Sequence, residues 1–296
     1  MKILNTCAKT LSLSFALMFA VSCSDHNEEH EKVDTLKLLI NSNSILDPSV
    51  NDQYPSTQAV GLFSLNKELE RTTLLDNQKA IYNGSKWYLD KNRTVILRED
   101  SIDVYAYCPY DPNMQSDEWL RIQSGTIDYM YGFHDLAEYG YINYAHPYAH
   151  IKMQHAMAML KLDIRPLLEQ MGQIDHIYIE GSDPEHPIYS TGQINMFTDE
   201  TGSLHVLDGE VECFVDKTGT KAVIYMIPCK GATVNISVVV NGKKHSLTVY
   251  NLDFEPGMVR NYWLEFDVRK EKLYVKDFNI EPWIDGKEID LETDYK

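Results

Sequence analysis

The chain has 296 residues, with 27 basic and 44 acidic side chains, a formal net charge of −17 and 44% hydrophobic composition. A surface so acidic repels nucleic acid and anionic lipid; it favours solubility and says little about fold. The length is enough for two domains, each with a core of its own.

Met1-Lys2 leads into a mostly apolar stretch over residues 11–21. It is too short to cross a bilayer, which takes about 20 apolar residues as a helix. A basic start, a short apolar region and small residues at the exit describe a secretory signal peptide over residues 1–22. Ala20-Val21-Ser22-Cys23 resembles the bacterial lipobox, so cleavage is expected between Ser22 and Cys23, with acyl chains on Cys23. One acyl chain holds only weakly, at about 0.8 kcal/mol per buried methylene, and more than one anchors stably. Residues 23–32 carry a run of acid that cannot bury apolar surface, and they read as a solvated tether. An acidic stretch directly after a lipidated cysteine resembles the surface-export signal of Bacteroides-type lipoproteins. Loss of residues 1–22 removes Lys2 and Lys9, leaving 25 basic residues against 44 acidic, or −19.

Beyond the tether, strand patterns dominate. "TLKLLINS" is a short candidate at 35–42. "SIDVYAYCPY" alternates, with Ile102, Val104, Ala106 and Cys108 on one side and Asp103, Tyr105 and Tyr107 on the other. "IKMQHAMAMLKLDI" fits a helix through Met153, Ala156, Met157 and Leu160. It also fits a strand through Ala156, Ala158, Leu160, Leu162 and Ile164, and periodicity alone does not separate the two. We read it as a strand buried on both faces. "RPLLEQMG" predicts one short helix, with Pro166 near its start and Gly172 at its end. "KAVIYMIP" is another short strand. "ATVNISVVVNGKKHSLTVYNL" is the clearest hairpin. Val234, Ile236, Val238 and Val240 share a face, Asn241-Gly242 suits a type I′ turn, and Leu247 and Val249 return. "NYWLEFDV" puts Tyr262, Leu264, Phe266 and Val268 on one face, and "KLYVKDFNI" follows a charged turn. Many short strands with turn signals between them predict β-sandwich domains.

Sequence motifs for catalysis and cofactors are missing: no GxSxG, HExxH, P-loop or GxGxxG occurs. His134, His146, His150 and His155 lie near one another without a metal-ligand spacing, and His134-Asp135 with Glu138 reads as a solvated turn. Cys108, Cys213 and Cys229 form no CxxC pattern; they read as buried free thiols, with a Cys213–Cys229 pair as the alternative. "DYMYGFHDLAEYGYINYAHPY" is rich in tyrosine. It reads as the edge of a sandwich, half buried with wet hydroxyls, and the alternative is an exposed loop that binds a glycan or a partner.

Four stretches carry a resemblance. "NGSKWYLDKNRTVILREDSIDVYAYCPYDP" resembles an aromatic strand followed by a "vdvYAYyPY" block. "DYMYG", followed by "YAHIKMQHAMAMLKLDI", resembles a central "l.f.Hamakl.f.i" strand. "IYMIPC" resembles a "yllP" strand end, and "LDFEPGMVRNYWLEFDV…IEPWIDG" a closing "l.pG..Y.l.v.v" pair with an "I.pW" end. In this order, and with the lipobox, they resemble the fimbrillin-like lipoproteins of Bacteroides-type bacteria. The resemblance implies an all-β chain, with two tandem transthyretin-like β-sandwiches over residues 33–148 and 149–296. It implies a fimbrial subunit without catalysis or cofactor, surface-exposed on the outer membrane through the lipid on Cys23. Its partners would be other fimbrial subunits, joined by strand exchange or edge pairing, and a host or bacterial surface ligand. In stalk subunits of the family a trypsin-like protease removes the first strand, and a strand of the next subunit fills the groove. Here that strand falls at about 35–42 and the second at about 57–65. No Lys or Arg lies between Lys37 and Lys67, and Gln58 stands where many relatives have arginine. The first arginine is Arg71, beyond the second strand, so an anchor, tip or accessory subunit that keeps its first strand is expected. Ile289 and Leu291 alternate in the last residues and could form a donor strand, against the reading of a frayed tail. The rival from another class is a glycan-binding surface lipoprotein of a polysaccharide uptake system. It predicts exposed aromatics clustered on one face.

Overall fold

The computed structural model describes residues 32–41, 59–82, 86–114, 118–166, 172–216 and 219–283. Almost all of its regular structure is β, arranged in sandwich-like sheets. A seven-stranded sheet carries the first half. Its order is β2 (Lys37–Asn41), β10 (Tyr148–His155), β9 (Met130–His134), β7 (Asp103–Cys108), β3 (Ala59–Leu65), β4 (Gln78–Tyr82) and β5 (Trp87–Leu89). The sheet curls, so that its two ends, β2 and β5, come into contact. A two-stranded ribbon of β1 (Asp34–Thr35) and β6 (Ile96–Leu97) lies beside it in sequence. One face buries Val60, Leu62, Val104, Ala106, Cys108 and Ile151 in a first core.

The second half is a sandwich of two sheets. One runs β16 (Phe214–Val215), β17 (Lys221–Met226), β11 (Ala158–Pro166), β20 (Met258–Asp267), β21 (Lys272–Pro282). The other runs β15 (Glu210–Glu212), β12 (Ile174–Gly181), β18 (Cys229–Val240), β19 (Lys243–Phe254). Between them lies a second core, to which Leu160, Leu162, Ile236, Val238, Leu264 and Phe266 belong. The β18–β19 hairpin turns at Asn241 and Gly242, with φ of 49° and 75°. Two adjacent positive φ values define the I′ geometry that suits the right-handed twist of the strands. The expected alternation of Val234 to Val240 and of Tyr262 to Phe266 holds, and all of these face the second core.

A third sheet joins the halves. It is β14 (Thr201–Val206), β13 (Tyr189–Asn195), β8 (Trp119–Gln123), so a strand early in the chain pairs with the middle strand of the sheet, a late one. It covers the outer face of the seven-stranded sheet over β3, β7 and β9. Phe63, Tyr105, Tyr107 and Tyr131 meet Leu120, Ile122, Ile194 and Met196 in a third core, together with Met159, Val223 and Tyr225. That is why β7 is buried along its whole length on both faces. Each large apolar side chain fully buried in this way contributes about 1.5–3 kcal/mol relative to exposure.

"IKMQHAMAMLKLDI" is two strands. β10 pairs with β9 and β2, β11 pairs with β17 and β20, and the chain passes from one sheet to the other at Ala156-Met157. β11 is buried on both faces over most of its length, whereas β10 alternates, with Tyr148, Lys152 and Gln154 exposed, so the expected burial on both faces holds for β11 alone; the apolar run from Ala156 to Leu160 hid the crossing from periodicity. The helix expected at Pro166 to Gly172 falls on residues 167–171, outside the described residues. A helix not anticipated from sequence, α1 (Leu136–Tyr139), is one turn long; the Asp135 carboxylate accepts from the Glu138 N–H at 3.0 Å.

Candidate functional site

The first strand stands at one end of the seven-stranded sheet. β2 pairs parallel with β10, from Lys37 opposite Tyr148 to Asn41 opposite Lys152. A parallel pair needs a crossover connection, and here more than a hundred residues separate the partners. The Lys37 N–H donates to Pro147 O at 2.8 Å and the Leu36 N–H to Val95 O at 2.9 Å. Just upstream, Asp34 and Thr35 pair with Leu97 and Ile96. Leu38 and Ile40 point into the first core, while Leu39 faces out. At the mouth, the Lys37 ammonium lies 3.2 Å from Asp34 Oδ2. The Thr35 backbone N–H, then Lys37, holds the Asp34 carboxyl below its usual range. The pair is exposed, so it orients more than it stabilises.

Arg71 sits just past β3. Its guanidinium lies 4.6 Å from the Phe63 ring centroid and pairs with Asp76. β3 runs between β7 and β4, and all seven of its residues are buried. Cleavage after Arg71 would therefore remove a central strand of the sheet.

The junction between the halves is closed by Trp283. Its backbone N–H donates to Gly257 O at 2.7 Å, and its ring stacks on His155 at 3.4 Å and 9°. Tyr225 lies parallel at 5.4 Å. His155 is buried and bonds Asp128 Oδ2 through Nδ1 at 2.8 Å. His134, expected in a solvated turn, is also buried, because both ring nitrogens have backbone partners: the His150 N–H at 2.9 Å and Gly140 O at 2.7 Å. Among the described residues no group of three His, Cys, Asp or Glu is placed to hold a metal ion. Cys108, Cys213 and Cys229 form no disulfide, and the alternative Cys213–Cys229 pair is not made. Burial pushes all three thiols up, Cys229 to about 12, so none is poised as a nucleophile. Ser22, Cys23, Ile289 and Leu291 lie outside the described residues.

Asp103 opens β7 and is buried. Burial raises its carboxyl above the usual range, against the opposing pull of the Val104 N–H at 2.7 Å. An acid raised in the folded state binds protons more readily than when unfolded. It therefore favours folding below its unfolded value and costs stability as pH rises through the folded one. Asp103→Asn keeps an oxygen for Val104 and removes the charge. The expected result is a higher melting temperature at pH 7 and no difference at pH 3, read by thermal denaturation at both.

Comparison with known proteins agrees with this architecture. The family model described as fimbrillin-like matches residues 49–283, and the chain belongs to that family. A candidate cell adhesion protein of Bacteroides uniformis superposes with a TM-score of 0.61 at 15% identity, over 84% of this chain and 99% of its own. One of Bacteroides ovatus gives 0.61 at 14% identity, over 86% and 98%. Another, of Bacteroides fragilis, gives 0.52 at 12%, over 77% and 85%. At these identities the likeness is one of fold. The comparison with curated proteins gives no match.

Proposed function

We propose that this fimbrillin-like chain is a non-catalytic fimbrial subunit of the anchor, tip or accessory kind. Cys23 carries its lipid on the outside of the outer membrane, and its first strand is retained. Residues 33–148 and 149–296 would serve as the two sandwiches of the tandem. Surface adhesion and association with other fimbrial subunits are the activities this reading assigns. Of the two strand routes, the outer side of β21, at the end of its sheet, would serve edge pairing, and 289–291 would serve donation.

The observation that carries the reading is the fastening of residues 34–41. They complete the curled sheet, bury Leu38 and Ile40, and are held by β6 on one side and β10 on the other. No basic residue after Lys37 precedes β3. A strand so held, with no trypsin-like site behind it, supports retention.

The test is the intact mass and N-terminus of the chain recovered from the outer membrane. A whole chain beginning at acylated Cys23 is expected. An unlipidated chain beginning within residues 43–72 would overturn the reading and show a processed, polymerising subunit.

A further inference from the structure

Three separate segments bring exposed apolar side chains together on the outer face of the seven-stranded sheet, at its β2 end. Register places Leu39 beside His150 and Lys37 beside Tyr148. Tyr139, from α1, lies flat on the His150 ring at 3.7 Å and 5°. Tyr148 stands 6.2 Å from His150, tilted by 45°. Leu39, Tyr139 and Tyr148 are 47%, 42% and 44% exposed.

The arrangement is held in place from beneath. The His134 Nδ1 accepts the His150 backbone N–H, so the proton of the neutral ring is assigned to Nε2, which donates to Gly140 O. One buried imidazole thus ties the end of α1 to β10, and keeps Tyr139 over His150 without any ligand. Such preorganisation lowers the ordering cost of binding.

The rim is polar and rich in acceptors. Asp135 and Glu138 flank Tyr139, and Asp34 and Lys37 stand beside Tyr148, where the Lys37 ammonium lies 5.0 Å from the ring centroid. Lys152 is exposed on the same face of β10, so three carboxylates and two ammonium groups surround the rings.

We propose that this ledge binds a neutral pyranose of a surface glycan. The adhesion part of the function proposed above supplies its context, and the inference names the ligand class. An aromatic face is electron-rich and attracts the weakly positive C–H face of a sugar ring. Carboxylates around it accept from the hydroxyl rim of the same ring, with charge-assisted bonds that are stronger than neutral ones. Tyrosine offers wide, stiff contact area at low entropic cost. The net negative rim disfavours sialic and uronic acids. Flat rings at the surface suit a sugar face better than an apolar peptide side chain, which buries itself in a pocket.

The experiment is saturation-transfer NMR on the mature chain. Methyl β-D-galactopyranoside and cellotetraose are the neutral probes, and sialyllactose is the anionic control. Transfer to the ring protons of at least one neutral probe is expected, with a dissociation constant on the order of 1–10 mM. Tyr139→Ala should weaken it by about tenfold, Tyr139→Phe should retain it, and sialyllactose should give less. Tyr148→Ala serves as a second loss variant should Tyr139→Ala fold poorly. Transfer from neither neutral probe, or equal transfer in wild type and both alanine variants, overturns the proposal. Self-association lost in Tyr139→Ala, without any saccharide signal, would also overturn it and assign the ledge to a second copy. Saccharide binding to a chain that proves processed and unlipidated would leave the ledge standing while the retained-strand reading fails.

Discussion

Leu38→Ala together with Ile40→Ala is expected to release the first strand from the sheet. Each residue is buried against the first core, and truncation of a buried leucine or isoleucine costs about 2–5 kcal/mol. Both lie at the end of the sheet, so values near the lower figure apply. The two sites share a core and do not add strictly, which puts the pair at roughly 4 kcal/mol. That is a large part of the 5–15 kcal/mol by which domains are usually stable. The loss should be local first. Among the described residues β2 is hydrogen-bonded within its sheet to β10 alone, so amide exchange should rise along Lys37–Asn41 and across Tyr148–Lys152. It should stay slow in β18 and β20, which belong to the second core. Exchange unchanged at Tyr148–Lys152, with a melting temperature within about 2 °C of wild type, would show that the strand is dispensable. The retained-strand reading would then lose its structural basis.

The released state has a functional consequence. Without β2, the backbone groups of β10 that it pairs with are left unpaired beside the apolar floor of Ala149 and Ile151. Such an edge accepts any compatible strand. The doubly substituted chain should therefore oligomerise more readily than wild type, and a synthetic peptide of residues 33–42 should suppress the difference. The retained strand then works as a stopper as well as a structural element.

What could be read from the sequence was what local pattern encodes. The β18–β19 hairpin was legible because Asn241-Gly242 admits the two positive φ values its turn requires. β7 was legible because its alternation is strict, although both of its faces proved to be buried. The pairing of β8 with β13 was not legible, since it joins Trp119–Gln123 to Tyr189–Asn195 and no local rule reaches so far. The crossing at Ala156-Met157 was hidden by apolar residues on both faces. The tyrosine-rich stretch was noticed, yet its ledge depends on parallel pairing with Leu39, some 110 residues earlier. The burial of His134 depends on the bonds its ring makes to two separate backbone groups. A sequence shows an imidazole and not what meets it.

Gly132→Ala should be the most damaging small change in the described residues of β9. Gly132 pairs with Ala106 on one side and Met153 on the other. A Cβ there would stand 2.1 Å from Lys152 O, 2.7 Å from Lys152 C and 2.9 Å from Met153 Cα. All three are backbone atoms of the neighbouring strand, so no side-chain rotation relieves the contact. Glycine within a strand often marks such a close approach. Relief requires β9 and β10 to separate, which strains the hydrogen bonds between Met130–His134 and Ile151–His155. Overpacking usually costs about 1–3 kcal/mol, and a clash of backbone with Cβ belongs at the upper end. About 3 kcal/mol corresponds to a fall of roughly 6–12 °C in melting temperature for a chain of this size. The effect should reach the ledge as well, because His134 ends the same strand and holds His150 in place. Gly132→Ala should therefore reduce saccharide binding at a temperature where the protein is still folded, whereas a core truncation in the second half, such as Leu264→Ala, should cost similar stability and leave binding intact. Equal binding by both variants would separate β9 from the ledge and leave Gly132 with a purely packing role.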